Sequence, residues 1–202
     1  MTVSEALFLA LLAAVGAGRL AEMRLSRRHQ RALAARGAIA RPERGFRWMV
    51  ALHAGVLVAS ASEVLGFHRP FVAALGVPAL AIFVLANGLR FWVIATLGQH
   101  WNVRVMGSLA LGVITGGPYR WIRHPNYVAV FAELLALPLI HGAWITAVVG
   151  AGLHAVVLRR RLAVEEAVLA ADPAYRRGMG FKPRFVPRIS RAGVSGLRWP
   201  TS

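Results

Sequence analysis

Long apolar segments alternate with short arginine-rich segments along the chain. Two shorter apolar runs, 127–140 and 143–158, flank the pair His141-Gly142 and predict a tight helical hairpin that does not quite reach the far surface. Three earlier runs are each long enough to predict one membrane-spanning helix: residues 3–20, 46–66 and 71–97. The pattern therefore predicts an all-α, polytopic integral membrane protein with about five transmembrane helices.

Composition supports a membrane protein and narrows the classes of partner. Hydrophobic residues make up 57% of the 202-residue chain, the mean hydropathy is +0.55 and the net charge is +16. Such a chain is too apolar for an ordinary soluble domain. It contains no basic-aromatic module typical of nucleic-acid binding, so we expect membrane lipids rather than nucleic acid as partners. The chain has no cysteine and its histidines lack metal-ligand spacing, so no metal site is predicted.

The arginines predict how the chain is oriented. Of the 24 basic residues, 22 fall in three polar regions, at residues 19–47, 98–126 and 159–202. Basic residues accumulate in the cytoplasmic loops of membrane proteins. With five spans, all three regions lie on the cytoplasmic face of the cell membrane, with the N-terminus outside and the C-terminus inside. The polar stretches that carry the candidate chemistry then share this face.

Two polar stretches carry residues suited to a charged methyl donor. The donor considered, S-adenosylmethionine, has two cationic groups, a carboxylate and an adenine ring. Glu165 and Glu166 can offset the cations, and Arg120 or Arg123 can meet the carboxylate. Planar surface for the adenine comes from four side chains of the first stretch: Tyr119, Trp121, His124 and Tyr127. A structural alternative is an arginine and aromatic belt at the membrane surface with a glutamate pair at a helix end.

The spacing of these stretches resembles the isoprenylcysteine carboxyl methyltransferase family. The shared pattern is Gly-x-Tyr-x-x-x-Arg-His-Pro-x-Tyr, followed after one helical hairpin by Arg-x-x-x-Glu-Glu, a tyrosine and Arg-Phe-x-Pro. The residues that match are Gly117, Tyr119, Arg123, His124, Pro125, Tyr127, Arg161, Glu165, Glu166, Tyr175, Arg184, Phe185 and Pro187. The resemblance covers about residues 87–187. The N-terminal spans resemble a bacterial branch, some of whose members methylate polyketide-derived phenolic lipids.

The resemblance implies one domain and a set of site residues. Residues 1–97 would supply three spans, 98–187 the cofactor-binding and catalytic region, and 188–202 a tail. Glu165 would take the amino-acid end of S-adenosylmethionine, with Glu166 beside it, and Arg161 would orient the acceptor. The other implied cofactor-binding residues are Leu111, Ile114, Tyr119, His124, Pro125, Asn126 and Tyr127, with S-adenosylhomocysteine as the product.

Ionisable residues inside the apolar runs predict a second group of contacts. Intramembrane charges are costly and usually face a cavity or one another. We therefore expect an Arg90–Glu133 pair, with His53 and His154 beside it, either as part of the catalytic site or as a network that locks helices together. His154 lies two helical turns before Arg161 on nearly the same face, and this position makes it a candidate general base.

The sequence thus predicts methyl transfer from S-adenosylmethionine to an oxygen of a lipophilic acceptor in the membrane, either a phenol or a carboxylate. A phenol needs deprotonation and a carboxylate does not, so His154 slightly favours a phenol. Two alternatives stay open: methylation of a phospholipid or other amine, and a non-enzymatic membrane scaffold.

Overall fold

The described part of the chain consists of six α-helices and one pair of very short strands. The computed structural model describes residues 1–40, 45–103, 106–107 and 112–187. Strand β1 (Ile39–Ala40) pairs antiparallel with β2 (Met106–Gly107). The helices are α1 (Val3–Ala34), α2 (Phe46–Gly66), α3 (Ala73–Leu97), α4 (Pro125–Leu139), α5 (Trp144–Ala170) and α6 (Pro173–Met179). The predicted all-α fold is confirmed.

The first three helices have the length and composition of membrane spans. These are α1, α2 and α3, the last with its 3₁₀ extension to His100. Helix α4 is apolar but has 15 residues, and at ~1.5 Å rise per residue it covers only about 22 Å. Large apolar side chains such as Leu85 (73% exposed) and Val148 (64%) point away from the protein, as expected for helices in contact with lipid. The chain is an integral membrane protein, and the count of five spans stays a prediction.

Helix α1 is longer than its apolar run. Thr2 and Glu5 form a capping box at its start, in which each side chain bonds the other residue's backbone amide. The helix then continues past the apolar run to Ala34, and Gly37, with φ of +82°, turns the chain away. The polar half of α1 therefore continues alongside α3 and α4, whose side chains Arg90 and Glu133 it contacts.

The halves of the helices next to the α2–α3 turn form the main apolar core. Phe8 and Leu12 of α1 pack there with Val64 of α2, Phe83 of α3 and Leu137 of α4. Because Gly76 has no side chain, α3 approaches the end of α4 closely: a Cβ at this position would lie 2.6 Å from the Ile140 carbonyl oxygen.

A buried carboxylate caps the start of α5. Glu63 of α2 accepts hydrogen bonds from the backbone amides of Ile145 (3.2 Å) and Thr146 (2.8 Å) and pairs with Arg69 at 3.1 Å. Helix α5 has no N-cap side chain of its own, so Glu63 satisfies amides that would otherwise lack partners. This contact places the α4–α5 turn beside the α2–α3 turn. The polar end of α5 and the start of α4 lie at the opposite end.

Candidate active site

The loop before α4 is held in place by a glycine and by the chain's last described segment. Gly117 has φ of +54°, and a Cβ there would lie 2.3 Å from the Thr96 hydroxyl oxygen at the end of α3. A 3₁₀ turn, Gly117–Arg120, follows, and Lys182 donates a hydrogen bond to the Tyr119 carbonyl at 2.7 Å. Helix α4 then begins at Pro125, a position where proline is preorganised for the helix. The loop is therefore fixed between α3 and the segment after α6.

The two polar stretches meet at one hydroxyl group. Tyr127, in the first turn of α4, donates a hydrogen bond to the Glu165 carboxylate and accepts one from Nε of Arg161 at 2.9 Å. Arg161 and Glu165 are four residues apart on α5, so their side chains project from the same face of that helix. The predicted convergence of the two stretches is confirmed.

The Arg161 guanidinium is held from several directions. Its Nη2 donates to the Val103 carbonyl at 2.6 Å, and its Nη1 lies 3.2 Å from the Met49 sulfur. Its Cζ also lies 5.9 Å from the centre of the Tyr127 ring. These contacts come from α2, α4 and the segment after α3, and they hold the guanidinium in one orientation.

Glu166 forms an ionic cluster with the C-terminal segment. Arg184 donates two hydrogen bonds to its carboxylate, at 2.9 and 2.6 Å, and Nη1 of Arg123 lies 3.2 Å from it. These bonds, chiefly those from Arg184, hold the pKa of Glu166 below its usual value. Backbone amides of Arg123 and His124 donate to the carbonyls of Pro183 and Arg184 at 2.9 and 3.0 Å. Glu166 therefore holds the segment 182–187 against the loop.

The ring of His124 packs against two other aromatic rings in this region. Its ring stacks on Tyr127, with centroids 5.5 Å apart, and lies 6.2 Å from the Phe185 ring. Its Nε2 is 3.2 Å from a Glu166 oxygen. Burial lowers the pKa of His124 despite the nearby carboxylates, because charging a buried ring costs solvation energy. Burial likewise raises the pKa of Tyr119.

An apolar cavity of about 300 Å³ opens beside Tyr127 and Arg161. Apolar side chains from α1, α2, α4 and α5, such as Leu20, Leu57 and Val130, form part of its wall. The polar part of the wall includes Arg19, Glu22, His53, Arg90, Asn126 and His154. The cavity is of the size of small-molecule sites and brings polar side chains together in apolar surroundings.

Two histidines face each other across the cavity wall. The rings of His53 and His154 lie edge to face, with centroids 5.6 Å apart. His53 Nδ1 is 2.7 Å from the Met49 carbonyl, a contact that requires a proton on Nδ1. Both ring nitrogens of His154 are buried and have no hydrogen-bond partner in the described part of the chain. His154 therefore lines the cavity with a ring whose nitrogens have no partner among the described residues.

The predicted Arg90–Glu133 pair is wrong. Arg90 instead donates two hydrogen bonds to Glu22, that of Nε measuring 2.8 Å, and Glu133 is paired with Arg19. Arg19 also bonds Glu22 at 2.9 Å, so the four side chains form one network across α1, α3 and α4. The polar half of α1 reaches into the protein and supplies the partners that the apolar runs alone did not reveal.

Comparison with known proteins shows which family the chain resembles. Residues 79–171 match the Isoprenylcysteine carboxyl methyltransferase (ICMT) family model. The uncharacterized protein YpbQ of Bacillus subtilis is 29% identical over 164 residues, which cover 81% of this chain and 96% of that protein. An uncharacterized protein of Haemophilus influenzae is 28% identical over 153 residues, 75% of this chain and 88% of that protein. These matches make the chain similar to the isoprenylcysteine carboxyl methyltransferase family over residues 79–171.

A solved structure supports the family fold. The structure of the eukaryotic intramembrane Ras methyltransferase, isoprenylcysteine carboxyl methyltransferase, without a monobody, superposes with a TM-score of 0.54 at 21% identity. The match covers 69% of this chain and 55% of that chain. At this identity the similarity shows the fold alone. The family is one of membrane methyltransferases whose members use S-adenosylmethionine.

The other residues expected from the family pattern fall into three groups. Asn126 follows Pro125 in the first turn of α4, and its Oδ1 is buried without a hydrogen-bond partner among the described residues. Ile114 is half-buried in the segment before Gly117, whereas Leu111 lies outside the described residues. Arg184 and Phe185 contact Glu166 and His124, as described above, which explains why their motif follows the glutamate pair.

Sequence reasoning missed Arg19 and Glu22 as lining residues of the cavity. The sequence places both in the polar region 19–47, expected on the cytoplasmic face, although their spacing of three residues also puts them on one face of a continuing helix. The absence of any glycine or proline between Arg19 and Arg36 was the signal that the helix continues.

Proposed function

We propose that this protein transfers a methyl group from S-adenosylmethionine to a phenol or carboxylate oxygen of a lipophilic acceptor. The observation that carries the proposal is the Tyr127 hydroxyl, which links Arg161 to Glu165 at the edge of the cavity. This contact joins the expected cofactor-binding carboxylate to the residue expected to orient the acceptor. We further propose that this site faces the cytoplasm, as the distribution of arginines predicts.

The residues present fit the cofactor. The buried Asn126 Oδ1 lacks a protein partner and can accept a hydrogen bond, and the Glu165 carboxylate can pair with an ammonium group. We propose that these two residues hold it together with Ile114, Tyr119, His124, Pro125 and Tyr127. When bound, the cofactor supplies an electrophilic methyl group and leaves as S-adenosylhomocysteine. Glu166 instead acts through the protein, because Arg123, His124 and Arg184 already contact its carboxylate.

The remaining residues prepare the acceptor oxygen. Arg161, fixed by Tyr127 and Val103, orients the oxygen and stabilises its negative charge. For a phenol, His154 takes the proton on one of its unbonded ring nitrogens. For a carboxylate no base is needed. The apolar wall of the cavity holds the acceptor's hydrocarbon part and keeps water away from the reacting oxygen.

The charges at the cavity wall disfavour the amine alternative. The described carboxylates at or directly behind the polar wall, Glu22 and Glu133, each already carry an ion pair with an arginine. An ammonium headgroup placed there would face Arg19 and Arg90 with little compensation. An acceptor that is anionic when it reacts suits these surroundings better.

Binding of the donor and chemistry of the product test the proposal. We expect the purified protein to bind S-adenosylmethionine in a calorimetric titration and to transfer labelled methyl from it to a membrane lipid extract. Mild alkali would release the label from a methyl ester but not from an aryl methyl ether. Replacement of Glu165 with Gln should abolish donor binding, whereas Arg160→Gln, an exposed change on the same helix, should not. Absence of binding by the wild type would support the scaffold alternative, and label on an amine would support the amine alternative.

A further inference from the structure

The ion-pair network at the cavity has no role in the transfer described above. Arg19, Glu22, Arg90 and His53 line the cavity on a part of the wall formed by α1, α2 and α3. Arg161 and His154, in contrast, lie on α5. The side chains of Arg90 and Glu22 are 7% and 16% exposed, so their charges are largely removed from solvent. A membrane protein that places three ionised groups at the wall of an apolar cavity incurs a substantial desolvation cost.

Holding the helices together does not explain this cost. A buried ion-pair network can often be replaced by apolar side chains of similar volume with no loss of stability. Apolar contacts of Phe8 and Leu12 already join α1 to α3 and α4 in the main apolar core. A saturated or prenyl chain in the cavity would gain nothing from guanidinium and carboxylate groups. The network is instead suited to a polar group of the acceptor.

We propose that Glu22, Arg90 and His53 form a second polar subsite, which binds a neutral hydroxyl group of the acceptor other than the oxygen that is methylated. This inference rests on the proposed function for the location of the methylated oxygen. It names the class of acceptor: a lipid with a chain and a headgroup that bears two oxygens.

The composition of the network selects a neutral group. Two arginines and two glutamates balance one another, with Glu133 bonded to Arg19 from α4, so an added ion would lack a counter-charge. A hydroxyl can donate to a carboxylate and accept from a guanidinium. His53 adds a further partner, because the bond of its Nδ1 to the Met49 carbonyl leaves Nε2 as a hydrogen-bond acceptor.

The position of the network separates the two oxygens. His154 precedes Arg161 by seven residues, about 10 Å along α5, and His53 lies on the opposite side of His154 from α5, with its ring 5.6 Å away. An oxygen that meets Arg161 or His154 therefore leaves the far edge of the same headgroup near His53, which lines the same cavity as Glu22 and Arg90.

Two probes that differ by one hydroxyl test the subsite. The probes are a long-chain 3-alkylphenol and the 5-alkylbenzene-1,3-diol with the same chain. We expect wild-type protein in lipid nanodiscs to bind the diol about tenfold to a hundredfold more tightly, the effect of one hydrogen bond to a charged group. The preference should also appear in kcat/KM when methyl transfer is followed.

Variants assign the preference to these residues. His53→Gln, which removes no charge, and the charge-balanced double change Glu22→Gln with Arg90→Gln should both reduce the preference to less than about threefold while phenol binding is retained. Met23→Leu, an apolar change at the same cavity, should leave it intact. Equal binding of the probes by the wild type, or equal loss of both in the variants, would overturn the subsite. Tighter binding of the diol without methylation of either probe would support the subsite and count against the proposed function.

Discussion

Single positions decide whether the two halves of the site meet. The Tyr127 hydroxyl is the atom through which Arg161 and Glu165 contact each other, and its ring stacks on His124. The ring and the hydroxyl of Tyr127 have separate roles. The ring contributes to packing and so to stability, whereas the hydroxyl holds the charged groups of Arg161 and Glu165 in place. A substitution that removes only the hydroxyl separates these contributions.

Tyr127→Phe should lower kcat by about tenfold to a hundredfold, because the hydrogen bonds of the hydroxyl to Glu165 and Arg161 are lost while the ring stack remains. We expect the unfolding temperature in detergent to change little. The measurement is single-turnover methyl transfer at saturating donor, with the unfolding temperature as the control for folding. A wild-type rate in this variant would show that Arg161 and Glu165 are ordered without the hydroxyl.

At the scale of elements, α5 joins the membrane part of the protein to the cofactor region. Its apolar half begins under the Glu63 cap, and its polar half presents Arg161 to the cavity and Glu166 to the segment 182–187. Among the described contacts, that segment meets the loop before α4 through Glu166, two backbone hydrogen bonds, Lys182 and the ring of Phe185. The glutamate is therefore the main electrostatic link between α5 and the segment after α6.

Glu166→Gln should destabilise the protein by roughly 1–2 kcal/mol at pH 7, limited by the partial exposure of Arg184. The folded-state pKa of Glu166 lies below its ordinary value of 4.5, so its contribution is present above about pH 4.5 and is lost as pH falls through the folded-state value. The difference between wild type and variant should therefore shrink below pH 4.5. Thermal unfolding of wild type and variant from pH 7 to pH 3.5 measures this difference in stability. Arg160→Gln, a change at an exposed position of the same helix, is the control variant. A difference that grows in acid would contradict the assignment.

At the scale of the whole molecule, the two helical hairpins turn at the same end. Gly142 of the α4–α5 turn packs against the Pro70 carbonyl of the α2–α3 turn, with a Cβ position 3.5 Å from that oxygen. His141 lies between Phe8 and Phe71, with ring centroids 5.4 and 6.0 Å apart. If the α2–α3 turn lies outside the membrane, the α4–α5 turn must lie at the same face. This contact supports five spans although α4 is short.

Labelling of introduced cysteines tests the predicted topology, and the chain has no cysteine that would interfere. We expect a membrane-impermeant maleimide to label Phe67→Cys and Trp144→Cys in intact cells. It should label Arg36→Cys and Arg177→Cys only after the cells are permeabilised. Labelling of Trp144→Cys only after permeabilisation would exclude the five-span arrangement and leave α4 and α5 on the inner side.

The order of apolar and polar residues was sufficient to predict the membrane class, the helices and the meeting of the two motif halves. Span length follows from local hydropathy. Pro125 and Gly117 shape the backbone at their own positions, and the glutamate pair takes its direction from the helix that carries it. The sequence could therefore predict which residues surround Tyr127.

Which charges pair across helices depended on tertiary structure alone. The partner of Arg90 is Glu22, 68 residues away on the polar half of α1, and Glu133 pairs with Arg19 instead. Hydropathy gives the depth of a residue along its helix but neither the rotation of that helix nor the identity of its neighbours. The cavity and its polar wall, and with them the proposed second subsite, follow from those rotations. Packing of the helix halves next to the α2–α3 turn fixes which faces of the opposite halves meet.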